Sequence, residues 1–324
     1  MKQIKFLFLF MALYSCKENT GNKNRVATNR DSIKAVTETC LIILGTIQDA
    51  GSPQIGCTKD CCKELFLYPH KDRRVVSLGL IDAANHKKYI FEATPDFTQQ
   101  AKALKKYTPF SSKETPDAIF VTHAHIGHYT GLMYLGKEAM NADSVPVYAM
   151  PRMKIYLEQN GPWSQLVKNK NIAVRAMNAQ KEITLDSNLK VIPFTVPHRD
   201  EFSETIGYTI IGPNKKVLFI PDIDKWEKWG SNIIDAIAKV DYAFIDGTFY
   251  DAAEINNRDI ATIPHPFIIE SMNRFKDLPA TEKKKIWFIH FNHTNPVINK
   301  NSKQYLQVIQ NGFNVAEINN IIKL

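Results

Sequence analysis

The stretch Asp117-Ala118-Ile119-Phe120-Val121-Thr122-His123-Ala124-His125-Ile126-Gly127-His128 constrains this chain more than any other. Its first part is apolar, with β-branched and aromatic residues, and reads as a buried strand. Three imidazoles then follow within six residues. Neutral imidazole is the commonest protein ligand for zinc and similar metals. His123 and His125 are two residues apart, so in extended chain they project to the same side. Gly127 permits a turn before His128. A strand that ends in a loop of ligands points to a metal-centred active site that activates water.

Other candidates sit at comparable positions. His198 follows the strand-like residues 189–196 and Pro197, Asp222 follows the run 217–221, and His290 ends the run Ile286-Trp287-Phe288-Ile289. His293 lies just beyond. Asp222, His128 and His293 are the groups placed to manage a proton at a catalytic centre. Asp224 reads as a surface residue. His70, His86 and His265, the rest of the nine histidines, read as surface or turn residues. Trp226 and Trp229 could wall a substrate pocket, with core packing as the alternative.

A second cluster is Gly56-Cys57-Thr58-Lys59-Asp60-Cys61-Cys62, which holds three of the five cysteines. Three thiols this close suit a structural metal at Cys57, Cys61 and Cys62, with Cys40 or a histidine as the fourth ligand. A disulfide is the rival in an exported chain, although a Cys61–Cys62 bond would be strained.

The N-terminus reads as an export signal rather than part of the fold. Lys2 and Lys5 precede an apolar run, residues 6–13, that is too short to span a bilayer. The run closes on Leu13-Tyr14-Ser15-Cys16, which resembles a bacterial lipoprotein cleavage site. Residues 1–15 are therefore expected to be a signal peptide, and Cys16 to carry the acyl chains that hold the protein at a membrane in the cell envelope. Residues 16–39 are mostly polar and are expected to form a tether. The formal charge of +8 comes from scattered lysines, without a basic stripe interleaved with aromatics. A nucleic-acid partner is not expected, and the charge favours a small, anionic substrate.

From residue 40 onward strands are expected at 41–45, 75–80, 89–92, 117–121, 145–149, 189–196, 205–211, 216–220, 242–245, 286–289 and 314–318. Helices are expected at 97–106, 152–159, 233–239, 267–275 and 304–310. Strands in two batches with helices between them suggest an α/β domain, residues 40–324, built of two sheets flanked by helices.

The ordered set His123-Ala124-His125-Ile126-Gly127-His128, His198, Asp222, His290 resembles the metallo-β-lactamase superfamily. The resemblance implies an αββα sandwich with its metal site at one edge between the sheets. It implies that His123, His125 and His198 hold a first metal, while Asp222 bridges to a second held by His128 and His290. The family carries an Asp where this chain has Gly127, so the second site is expected to be weakened unless His293 or Asp224 compensates. Asp246 and Thr248 would support the ligands from behind.

The segments Leu44-Gly45-Thr46-Ile47-Gln48-Asp49-Ala50-Gly51, Asp246-Gly247-Thr248-Phe249 and Asn292-His293-Thr294-Asn295-Pro296, with the cysteine cluster, are similar to pyrroloquinoline quinone biosynthesis protein B and its relatives. Those relatives carry a cysteine-bound structural zinc. The leading expectation is a zinc-dependent hydrolase with one or two active-site metals. An iron-dependent oxygenase is the second, and a lipoprotein that has lost turnover, as Gly127 allows, the third.

Overall fold

A computed structural model describes residues 36–256 and 258–324. The signal peptide, Cys16 and residues 17–35 of the expected tether lie outside the described residues. Residues 36–39, expected to belong to the tether, pair with the domain. Val36 donates its backbone N–H to Tyr107 O (3.2 Å), Leu324 donates to Thr39 O (3.0 Å), and Glu38 pairs with Lys323 at 2.7 Å. Backbone pairing against the domain outweighs the polar composition of residues 36–39.

Among the described residues the strands form two seven-stranded sheets. The first takes the order β14-β1-β2-β3-β4-β5-β6, with β1 Cys40–Gly45, β2 Ser77–Asp82, β3 Lys87–Phe91, β4 Ala118–Phe120, β5 Val145–Ala149, β6 Ile172–Ala176 and β14 Ile321–Lys323. The second takes the order β13-β12-β11-β10-β9-β8-β7, with β7 Ile183–Asp186, β8 Leu189–Thr195, β9 Ile206–Ile211, β10 Lys216–Ile220, β11 Tyr242–Asp246, β12 Ile286–Ile289 and β13 Asn314–Val315.

The pleat explains why the central strands are apolar without interruption. In β1, Leu41 and Ile43 face the second sheet, packing in one core with Tyr208, Val217, Phe219 and Phe244. Ile42 and Leu44 face the other way, into a core with Phe97 and Leu104 of the helix Phe97–Tyr107. The second sheet repeats the pattern. Leu218, Ile220 and Phe288 point outward onto Ile233, Ile237 and Ile268 of the helices Ile233–Ala238 and Ile268–Arg274. Strands covered on both faces lose the polar alternation of a half-exposed sheet. The result is the αββα sandwich.

Direction places the chemistry. β3, β4 and β5 run parallel, as do β10, β11 and β12. β1 and β8 each lie two antiparallel steps from those sets, so they run the same way within their sheets. The two sheets touch at one edge through Ile47, which bridges Val75 of the first and Phe291 of the second. Gln48 N–H donates to Phe291 O (2.8 Å) and Phe291 N–H to Thr46 O (2.7 Å). These bonds bring the loop after β1 against the loop after β12.

Candidate metal centre

Most segments that carry candidate ligands leave the carboxyl end of a strand. His123 and His125 follow β4, His198 follows β8, Asp222 follows β10, Asp246 ends β11, His290 follows β12, and Asp49 lies beyond β1. His128 is placed by the short helical turn Ile126–Tyr129, whose backbone is pinned by Ala93 N–H donating to His128 O (2.9 Å).

The side chains converge into three overlapping groups that share Asp222, one of them Asp222, Asp246, His265 and His290. His123, His125, His198 and Asp222 offer donor atoms within 4.8 Å of one another, and so do Asp49, His128, Asp222 and His290. His123 Nε2 lies 2.8 Å from His125 Nδ1 and 3.5 Å from Asp222 Oδ2. His198 Nε2 is 3.2 Å and His128 Nε2 3.9 Å from the same oxygen. A tetrahedral ion with ligands at about 2.1 Å separates its donor atoms by about 3.4 Å. The spacings fit. Both ring nitrogens of His198 and Asp222 Oδ1 are buried without a hydrogen-bonded partner, and native interiors rarely tolerate such groups unless an ion or water serves them.

The outer nitrogens meet acceptors, as ligand imidazoles usually do. His290 Nδ1 is 2.8 Å from Thr248 Oγ1, and His123 Nδ1 is 2.9 Å from Thr122 Oγ1. His125 Nε2 is 3.2 Å from Glu201 Oε2. The fully buried Glu92 holds Oε2 3.2 Å from His128 Nδ1, off the hydrogen-bonding direction. Glu92 (φ 74°) and His290 (φ 69°) both adopt left-handed backbone, a strained conformation that proteins concentrate at functional sites.

Charge reinforces the arrangement. Burial opposes ionisation of Asp222, but His198 and His265 beside it hold its carboxyl well below the usual range. Burial likewise works against Asp49, and His128 and His290 overcome it. Burial, with His128 close by, keeps His123 well below the usual imidazole range, so it is neutral and able to ligate. His128 goes the other way: burial disfavours its charge, yet Asp49 and Glu92 raise it well above the usual value.

Two residues that carry this centre were not assigned from the sequence. His265 was read as a surface or turn histidine. It is buried, with Nδ1 2.9 Å from Asp246 Oδ2 and 3.2 Å from Asp222 Oδ1. Burial alone would discharge it, but Asp246 and Asp222 raise it to about 10. Its flanking prolines, Pro264 and Pro266, were the one local sign of a fixed loop. Asp49 has no local sign in the sequence beyond its place in the segment Leu44-Gly45-Thr46-Ile47-Gln48-Asp49-Ala50-Gly51.

Asp224 does not join the cluster. It pairs with Lys228 at 2.8 Å and accepts from Lys225 N–H (2.7 Å). His86 stacks on Phe110, and His70 is exposed. Trp226 is a core residue donating to Ser271 Oγ (2.9 Å). Trp229 stacks on Phe194 and lines a cavity of about 800 Å³ beneath the helix Ile233–Ala238, to which none of the histidines contributes.

His293 stands apart from the proton-handling groups with which it was placed. It joins Cys57, Cys61 and Cys62 in a separate group with donor atoms within 4.8 Å of one another. Cys57 Sγ and Cys61 Sγ are 3.8 Å apart and unbonded. That is the edge of a tetrahedron with metal–sulfur bonds of about 2.3 Å. Cys40 is not the fourth member, because β1 buries it among aliphatic residues of the first sheet.

A two-sheet sandwich with a histidine–carboxylate centre at its edge defines a class of metal-binding proteins. The chain belongs to the metallo-β-lactamase superfamily: a Beta-lactamase superfamily domain matches residues 87–291. Coenzyme PQQ synthesis protein B of Methylococcus capsulatus is 24% identical over 304 residues, covering 85% of this chain and 96% of its own. The Gluconobacter oxydans protein of the same name is 23% identical over 86% of this chain and 96% of its own. Among solved structures, Zn(2+)-bound PqqB from Methylobacterium extorquens superposes with a TM-score of 0.71 at 20% identity, covering 88% of this chain and all of that one. A diphosphatase from the PhnP family superposes with a TM-score of 0.63 at 21% identity, covering 89% and 99%.

Proposed function

We propose that this protein is a metal-dependent enzyme whose histidine centre performs hydrolysis of a small, anionic ester or phosphodiester. The observation that carries the reading is the pair of ligand groups sharing Asp222, with the His198 nitrogens otherwise orphaned. A zinc-class ion held by His123, His125 and His198 would supply Lewis acidity and a water of lowered pKa. The residues do the rest. Asp222 orients the donors of both groups through Oδ2, and its Oδ1 faces the charged His265. His265, fixed by Asp246, holds Nδ1 3.2 Å from Asp222 Oδ1 and is placed to exchange a proton with the shared carboxylate. Glu201, half exposed, holds the outer nitrogen of His125 at the mouth, where Ile126 and Phe202 stand exposed.

The name borne by the relatives supports a second reading. Proteins called Coenzyme PQQ synthesis protein B align over most of both chains, and an iron-dependent oxygenase acting on a phenolic precursor would suit such a role. Elemental analysis beside two assays separates the readings. Zinc with chelator-sensitive turnover of a chromogenic phosphodiester or ester is expected. Iron with oxygen uptake on a phenol would replace hydrolysis by oxygenation. A centre that binds no metal would end both. The thiolate group is read as a structural zinc site, and the protein as an exported lipoprotein held at a membrane through Cys16. Palmitate labelling that survives Cys16→Ala would remove that last reading.

A further inference from the structure

We propose that Asp49 is the carboxylate ligand of a second divalent cation in the histidine centre, filling from another loop the place that Gly127 leaves open. The inference rests on the metalloenzyme reading above and concerns how this chain completes the site.

Three observations carry it. The first is spatial. A Cβ added at Gly127 would lie 2.5 Å from Asp49 Cα, 2.8 Å from its Cβ and 3.0 Å from its Cγ. Gly127 does not adopt left-handed backbone, so glycine is required there for room and not for conformation. Asp49 occupies the volume into which a side chain at position 127 would project.

The second is the donor set. Both His128 Nε2 and His290 Nε2 lie against one oxygen, Asp49 Oδ1, at 3.0 and 3.1 Å. Thr248 Oγ1 donates to Asp246 Oδ1 (2.7 Å) and lies 2.8 Å behind His290 Nδ1, which holds that ring with Nε2 towards the centre. With Asp222, two imidazole nitrogens and two carboxylates offer donor atoms within 4.8 Å of one another, the ligand set and spacing of a divalent cation.

The third is rigidity. The bonds from Gln48 N–H to Phe291 O and from Phe291 N–H to Thr46 O fix the chain just before Asp49 to the chain just after His290. Two ligands 241 residues apart in sequence are held in register by main-chain bonds, as a ligand pair requires.

The test counts metals in full-length protein reconstituted with Zn²⁺ or Co²⁺. Beside the parent stand Asp49→Asn, which keeps the shape but not the charge, Gly127→Ala, which removes no ligand, and the pair His123→Ala, His125→Ala. Asp49→Asn is expected to release one histidine-centre metal per chain and to weaken that site by about 100-fold or more. It should leave the thiolate-site Co²⁺ charge-transfer bands intact. Gly127→Ala is expected to release the same metal, because its methyl displaces Asp49. Retention of the parent's metal count and Co²⁺ spectrum by Asp49→Asn overturns the proposal, whatever Gly127→Ala does. A parent whose metal count equals that of the His123→Ala, His125→Ala variant instead overturns the metalloenzyme reading on which it rests.

Discussion

Glu254 illustrates what single residues contribute here. Its carboxylate accepts from Tyr250 N–H and from Thr294 Oγ1 (2.8 Å), yet burial dominates and pushes it up to about 7 from 4.5. A carboxyl with a raised pKa adds stability that is complete below about pH 4.5 and fades as pH rises through 7. Thermal denaturation should therefore show the parent losing on the order of 1–2 kcal/mol between pH 5 and 8 relative to Glu254→Gln, which has no proton to give up. Equal pH slopes for the two proteins would remove this account. His265 is expected to show its role differently. His265→Gln should leave the fold intact and lower turnover about 10-fold or more. It should also shift the pH–rate profile, which a mere packing role would not do.

At the scale of elements, the sequence made the central strands legible because burial on both faces leaves an apolar run. The segments 145–149, 216–220 and 286–289 coincide with β5, β10 and β12. Three of the four edge strands, β6, β7 and β14, were illegible for the converse reason. β6 and β7 are half-buried and carry Arg175, Thr184 and Asp186, and β14 is three residues long. The helix Asp60–Leu67 was hidden among cysteines, and only Cys62 in it is buried. The ligands that end strands could be read because each follows an apolar run, whereas Asp49 and His265 lie on loops where no periodicity points to them. One tight spot belongs to β1: a methyl on Gly45 would overlap Val75 O, where β1 and the strand leading into β2 cross. Gly45→Ala is expected to cost about 3 kcal/mol in denaturant unfolding, as overpacking against backbone does. A cost within about 0.5 kcal/mol, ordinary for a surface substitution, would show that the crossing yields.

For the whole molecule, one pair of loops contributes to both the thiolate group and the Asp49–His128–Asp222–His290 group. Asp49 and Cys57 share the loop after β1, and His290 and His293 share the one after β12. Chelation should accordingly lower the melting temperature in two steps, with Cys57→Ser, Cys61→Ser abolishing one of them. A variant that keeps both of the parent's steps would mean the thiolates hold nothing. The span of the centre also sets when it can exist. Its candidate ligands run from Asp49 to His290, so the nascent chain cannot close it until nearly nine-tenths of the polypeptide has been made. Metal selection depends on geometry, ligand type and availability, and binding is coupled to folding. On the metalloenzyme reading, the ion would therefore be decided at the end of synthesis, with the metal pool of whichever compartment the chain finishes folding in as one determinant.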